Sequence, residues 1–241
     1  MRATILFVFL WITNTYSQNA SVKINYDFNL NLNDNQQYKS VLYIGKEKSL
    51  FLWNKPFIKN SRIEDEESIN VNLNANDTIG SFNLGLRLKD SIYSRIPYFK
   101  KEVILLKEKV PSIEWKIHKE TKKVGDFQCQ KAVANFRGRE YTAWFAPDLP
   151  IKVGPWKLHG LPGLILIAYD TKREIEFYVT SISQSSYKIE PSLKANRIMY
   201  LSEYIEFIEK GPLDFLKKLK SKLPRGTEMT VDIKKGIESF E

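Results

Sequence analysis

One cysteine, two histidines and no long apolar run after the first dozen residues bound what this chain of 241 residues can do. A lone Cys129 leaves no intramolecular disulfide and no thiolate cluster, so core packing has to supply the stability. With no histidine or other base close by in sequence, it reads as a small buried hydrophobe on a strand; a reactive or pairing thiol is the alternative. Two histidines are too few for a histidine-rich metal site, and no metal or other cofactor is expected. No nucleophile elbow, zinc-protease pair, P-loop or dinucleotide glycine pattern occurs. Gly160-Leu161-Pro162-Gly163 lacks the Lys-Ser/Thr of a phosphate cradle and leads into a strand, which withholds the amide donors of a helix N-terminus.

What is present begins with Met1-Arg2-Ala3-Thr4 and the apolar Ile5 to Ile12, a basic start and a core of signal-peptide length. We expect residues 1–18 to be a cleaved secretion signal and 19–241 a single domain, since no Pro/Gly/Ser-rich linker divides them. No cysteine lies near that junction, so a lipid anchor there is not expected. No later segment is apolar for long enough to form a membrane helix, which predicts no transmembrane span. The expected location is the periplasm or cell envelope. The formal charge of +9 could draw anionic lipid or glycan to the surface, while export argues against nucleic acid. Lys217, Lys218, Lys220 and Lys222 hold much of that excess and Glu64 to Glu67 oppose it; each run reads first as a solvated surface.

Val22, Ile24, Tyr26, Phe28, Leu30 and Leu32 alternate with polar residues, the period of a half-buried strand. Gln37 to Ile44 and Ser49 to Trp53 follow as shorter strands, and Lys55 to Asn76 is polar enough to be irregular, with a weak strand near Ile69 to Leu73. Asp77-Thr78-Ile79 and Asp90-Ser91-Ile92 are similar to a three-residue O-glycosylation signal. Ile113 to His118 alternates so as to put His118 on the polar face. Phe127 to Phe136 and Arg139 to Ala146 form a hairpin about Arg137-Gly138, and Glu174 to Gln184 alternates again. After Pro191 the period turns helical: one helix behind a Ser202-Glu203 cap, a break at Gly211-Pro212, a second helix to Pro224 and a last strand from Glu228 to Ile233.

Gly154 to Ile165 gathers three glycines and two prolines. Leu161-Pro162-Gly163-Leu164 fits a type II turn with positive φ at Gly163, which makes Gly160, Pro162 and Gly163 structural turn residues. Leu164 to Tyr169 then reads as a strand buried on both faces. Gly160-Leu161-Pro162-Gly163-Leu164-Ile165 spells the hexapeptide of the GLPGLI family of secreted Bacteroidetes proteins. The resemblance extends through Glu120-Thr121-Lys122, Cys129-Gln130-Lys131-Ala132, Phe136-Arg137-Gly138-Arg139 and Ala143 to Pro150, and is close from about Lys119 to Asp170. It implies secretion and no established activity, cofactor or catalytic residue.

The fold expectation is α+β and mainly β: a curved antiparallel sheet, half-barrel-like and similar to periplasmic lipoprotein carriers in strand pattern, with C-terminal helices. His159, beside Trp156 and Lys157 in a turn-rich loop, is the leading candidate for a binding side chain. Trp144 is a further aromatic candidate, and the Arg137 and Arg139 guanidinium groups near these tryptophans would suit an anionic ligand. No catalytic residue is assigned. Three functions follow. The first is a non-catalytic exported protein binding a lipid or hydrophobic peptide in the concavity. The second is a protein-interaction component of an outer-membrane or surface complex, presenting the lysine helix or the Trp156 loop. The third is a hydrolase, which would need two acids within reach in a pocket.

Overall fold

The computed structural model describes residues 20–32, 35–53, 79–98, 102–221, 236–238 and 240. The proposed signal, the weak strand at 69–73, the acidic run at 64–67 and the last strand at 228–233 lie outside them.

Among the described residues twelve strands form one open sheet. The first meander is β1 (Ala20–Leu30), β2 (Gln36–Gly45), β3 (Lys48–Trp53), β4 (Ser81–Leu86), β5 (Ser91–Pro97) and β6 (Val103–Lys109). A second runs through β7 (Lys116–Val124), β8 (Phe127–Phe136), β9 (Arg139–Ala146), β10 (Leu164–Asp170) and β11 (Ile175–Gln184). The order across the sheet is β12-β6-β5-β4-β3-β2-β1-β11-β10-β9-β8-β7, so the meanders are joined by the antiparallel β1–β11 pair. β12 (Arg197–Tyr200) pairs in parallel with β6 and leads into one helix, α1 (Leu201–Lys220).

Period-two patterning explains the strands it announced. Ile24, Tyr26 and Phe28 of β1 turn to the core while Lys23, Asn25 and Asp27 alternate away from it. On the core face, Ala132, Ala143 and Ala168 are successive cross-strand partners, continued by Phe177 and Phe28. Small side chains in that row leave depth above the sheet. The segment between β9 and β10 fills it with Trp156, Leu158 and Leu161, all buried in the same cluster. On the opposite face, Leu50, Phe82 and Leu84 are covered by the crossover after β11, where Ile189 is fully buried and Tyr187 stacks on Tyr43 at 4.1 Å.

A bulge in β10 shifts register between Ile165 and Ile167 against β9. The fully buried Tyr26 donates its hydroxyl to the Ile165 carbonyl there at 2.7 Å, and burial raises that hydroxyl's pKa far above the tyrosine range. Tyr26→Phe leaves the carbonyl without this partner and should lower stability by about 1–2 kcal/mol in chemical denaturation. An unchanged midpoint would show that the hydrogen bond contributes nothing net.

Four local expectations are corrected. Gly163 is not among the positive-φ residues; the chain takes that conformation at Gly160, at +94°. The C-terminal helix is continuous through Gly211 and Pro212. A proline inside a helix forfeits one ladder bond without having to end it, and Gly211 before it has no Cβ to add to the crowding, so the pair does not break the helix. The helix begins at Leu201, just before the expected Ser202-Glu203 cap, and of that pair it is Glu203 that caps it, accepting from the Tyr200 N–H at 2.9 Å. On β7, the edge strand, Ile117 pairs with the core-facing Ala132 but is exposed, and His118, expected on the polar face, is half-buried.

Candidate functional site

Lys152 to Gly160 forms a small hairpin. Gly160 N–H bonds to the Lys152 carbonyl at 3.0 Å and Gly154 N–H to the Leu158 carbonyl at 2.9 Å, with Pro155, Trp156 and Lys157 at the tip. Trp156 takes a left-handed conformation at φ 56° and packs edge-on to Phe136, with ring centroids 5.6 Å apart. Its burial removes it from any surface display. The base is fixed by Trp115, whose indole N–H donates to the His159 carbonyl at 2.7 Å.

Between this hairpin and the first meander lies a cavity of about 1220 Å³. A space of this size is on the scale of a ligand pocket, which makes it the candidate site. Two cross-strand rows make its floor. One is Val22, Ile44, Ser49, Gly85 and Ile92; the other includes Leu42, Phe51 and Asn83. Ile151, Val153 and Leu158 line it from the hairpin side, and the exposed Lys46, Arg87, Asp90 and Lys152 stand at its mouth. Among the described lining residues, Asp90 is the only carboxylate.

Lys157 lines the cavity yet is tied down. Its ammonium bonds to Glu108 of β6 and to Glu238 at 2.6 Å. Arg137 bonds to the other oxygen of Glu108 and lies 3.8 Å from Glu238, so two cations meet two carboxylates in a buried cluster. Arg139, two residues on, holds Asp170 at 3.0 Å and Glu174 at 2.5 Å and donates to the Ile237 carbonyl at 3.2 Å. Burial works against its charge, but these bonds outweigh it and keep the guanidinium pKa above its usual value. Both arginines were expected as candidate groups for an anionic ligand; the fold commits them to internal ion pairs.

Of the six sequence candidates, Trp156, Lys157 and His159 line the cavity and Arg137, Arg139 and Trp144 do not. Trp144 faces the other way, capped by the Lys122 ammonium 4.2 Å from its ring. Cys129 is fully buried, and burial pushes its thiol up to about 11 against the pull of Lys122, so it is protonated at neutral pH. Ser91 is also buried, which closes the second O-glycosylation match in the folded chain. The residues that sequence reasoning passed over are Asn83, Arg87 and Glu108. None carried a clear signal: even Glu108 stands between Lys107 and Lys109 at the end of its strand, a charged run that reads as solvated surface. Among the described residues no three His, Cys, Asp or Glu side chains are grouped to hold a metal, and no helix is long and apolar enough to cross a membrane.

A family model described as "Protein of unknown function (Porph_ging)" matches residues 136–167, from the end of β8 through the hairpin into β10. No curated protein matches the chain. Two crystal forms of a protein called PNGF-II, in space groups P21 and C2, resemble this fold with TM-scores of 0.53 and 0.51. Each is 18% identical and aligned over 79% of this chain and 33% of that one. This chain therefore spans about a third of PNGF-II's length, and the likeness concerns the β fold alone. An uncharacterized conserved protein from Thermus thermophilus is more distant, with a TM-score of 0.40 at 7% identity over 76% of this chain and 91% of its own.

Proposed function

We propose that this chain is an exported, non-catalytic member of the GLPGLI family that holds an amphiphilic lipid in the cavity beneath the Trp156 hairpin. The observation that carries the reading is the cavity itself: an apolar floor of Leu42, Ile44, Phe51 and Ile92 under a mouth bearing Lys46, Arg87 and Lys152, with Asp90 the one acid among the described lining residues. An acyl chain would gain roughly 0.8 kcal/mol for each CH₂ removed from water, and an anionic head would meet the basic mouth. A hydrolase would call for paired acids in the cavity, and the nearby Glu108 is already committed to Lys157 and Arg137. A partner-binding surface loses the Trp156 loop, which is interior.

The half-barrel curvature belongs to this proposal. Glu108 lies on the second strand of the sheet order and Arg137 in the turn joining the tenth and eleventh. In a flat sheet with strands about 4.8 Å apart they would be separated by roughly 40 Å, far beyond the reach of two side chains. Their contact supports a sheet bent toward the hairpin.

The test is native mass spectrometry of the full secreted chain, together with displacement of a fluorescent fatty-acyl probe. Wild-type protein is expected to retain lipid, and Ser49→Trp, which fills the floor beside Gly85, to weaken probe binding by about tenfold or more while keeping its melting temperature. Equal binding by both proteins would move the ligand out of this cavity.

A further inference from the structure

Asn83 is 4% exposed, lines the cavity floor, and leaves its amide nitrogen buried with no hydrogen-bond partner. Its cross-strand partner Ser94, 3% exposed, has a hydroxyl in the same condition. A stranded buried donor costs about 1–3 kcal/mol, and native proteins keep few of them. Resting on the lipid reading above, we propose that the ligand presents an uncharged acyl carbonyl oxygen, of an ester or amide, to the Asn83 side chain, and leaves its anionic group at the mouth.

The choice of a neutral carbonyl over a carboxylate follows from the charges around the floor. Burying a carboxylate requires a compensating cation. Lys157 is the one cation that lines the interior among the described residues, and with Arg137 it is matched two for two by Glu108 and Glu238. Arg87, Lys46 and Lys152 are exposed at the rim. Arg87 opens the turn that directly follows β4, four residues after Asn83 and so at most roughly 13 Å from it along the backbone, which lets one molecule reach both. A free fatty acid with its carboxylate held at the rim would put only methylene groups beside Asn83.

The deciding comparison is binding of two probes with the same anionic head and the same sixteen-carbon chain: a lysophosphatidylglycerol with an ester linkage, and its ether analogue, which lacks the carbonyl. Wild-type protein should bind the ester about tenfold more tightly. Asn83→Leu should abolish that preference while keeping affinity for the ether, because the stranded donor is gone. Equal wild-type affinities for ester and ether would overturn the carbonyl assignment and leave the cavity as a lipid site. Failure to bind either probe would overturn the lipid reading and this inference with it. An Asn83→Leu chain that keeps the ester preference would also overturn the assignment to Asn83. If that variant does not fold, the wild-type ratio still decides.

Discussion

Gly163→Ala should be among the most damaging single-methyl additions to this protein, lowering stability by more than about 3 kcal/mol or preventing folding. A Cβ on Gly163 would stand 2.2 Å from the Ala146 carbonyl oxygen and 2.7 Å from its carbon. Both are backbone atoms at the end of β9, so no side chain can swing aside; β10 would have to leave β9 where Leu164 pairs with Ala146. Gly160→Ala is the built-in control. There the strain is conformational, at φ +94°, and the nearest atom to the new Cβ is Trp115 Cδ1 at 3.9 Å, so the cost should be about 1–2 kcal/mol. Thermal or chemical denaturation of the pair gives the ranking, and a Gly163→Ala protein as stable as Gly160→Ala would sink the close-approach account.

Glu108→Gln should cost about 3–5 kcal/mol, because it leaves Lys157 and Arg137 with one carboxylate between them in a buried site. The Lys157 side chain is 2% exposed and that of Glu108 1%, so solvent cannot replace the lost charge. Adding Arg137→Gln restores neutrality, and the double variant should be less damaged than the sum of the two single changes. Additive losses in that cycle would mean that the residues are not energetically coupled.

How much could be read beforehand differed between the two meanders. In the second, each strand from Phe127 to Gln184 showed apolar runs or clean alternation, because one or both faces are packed. β4 and β5 were passed over. In β4, Phe82, Leu84 and Leu86 alternate with Asn83 and Gly85, a period of two that was legible but short and weakened by the glycine. In β5, Ser91 to Pro97, both faces mix apolar and polar residues and no such period shows. The hairpin was visible through its glycines and prolines, whereas its charged tip was not: the partners of Lys157 lie 49 and 81 residues away in the chain. Gly163 was expected to be constrained by a positive φ, and the structure instead sets it against the Ala146 carbonyl. Composition can mark a glycine as constrained; only the fold says whether conformation or a neighbour imposes it.

The β1–β11 seam sets the order in which this chain can fold. Every other antiparallel neighbour pair in the sheet joins strands that are consecutive in sequence, so each meander can assemble locally as it is made. β1 is different, since Asn25 waits for Ser181, 156 residues later, before its second edge is covered. Until then the first meander presents an unpaired strand rich in Ile, Tyr and Phe, the kind of edge on which chains stick to one another. The slow step is therefore expected to be the meeting of two pre-formed halves, and its speed relative to intermolecular pairing governs how much of the newly made protein escapes aggregation.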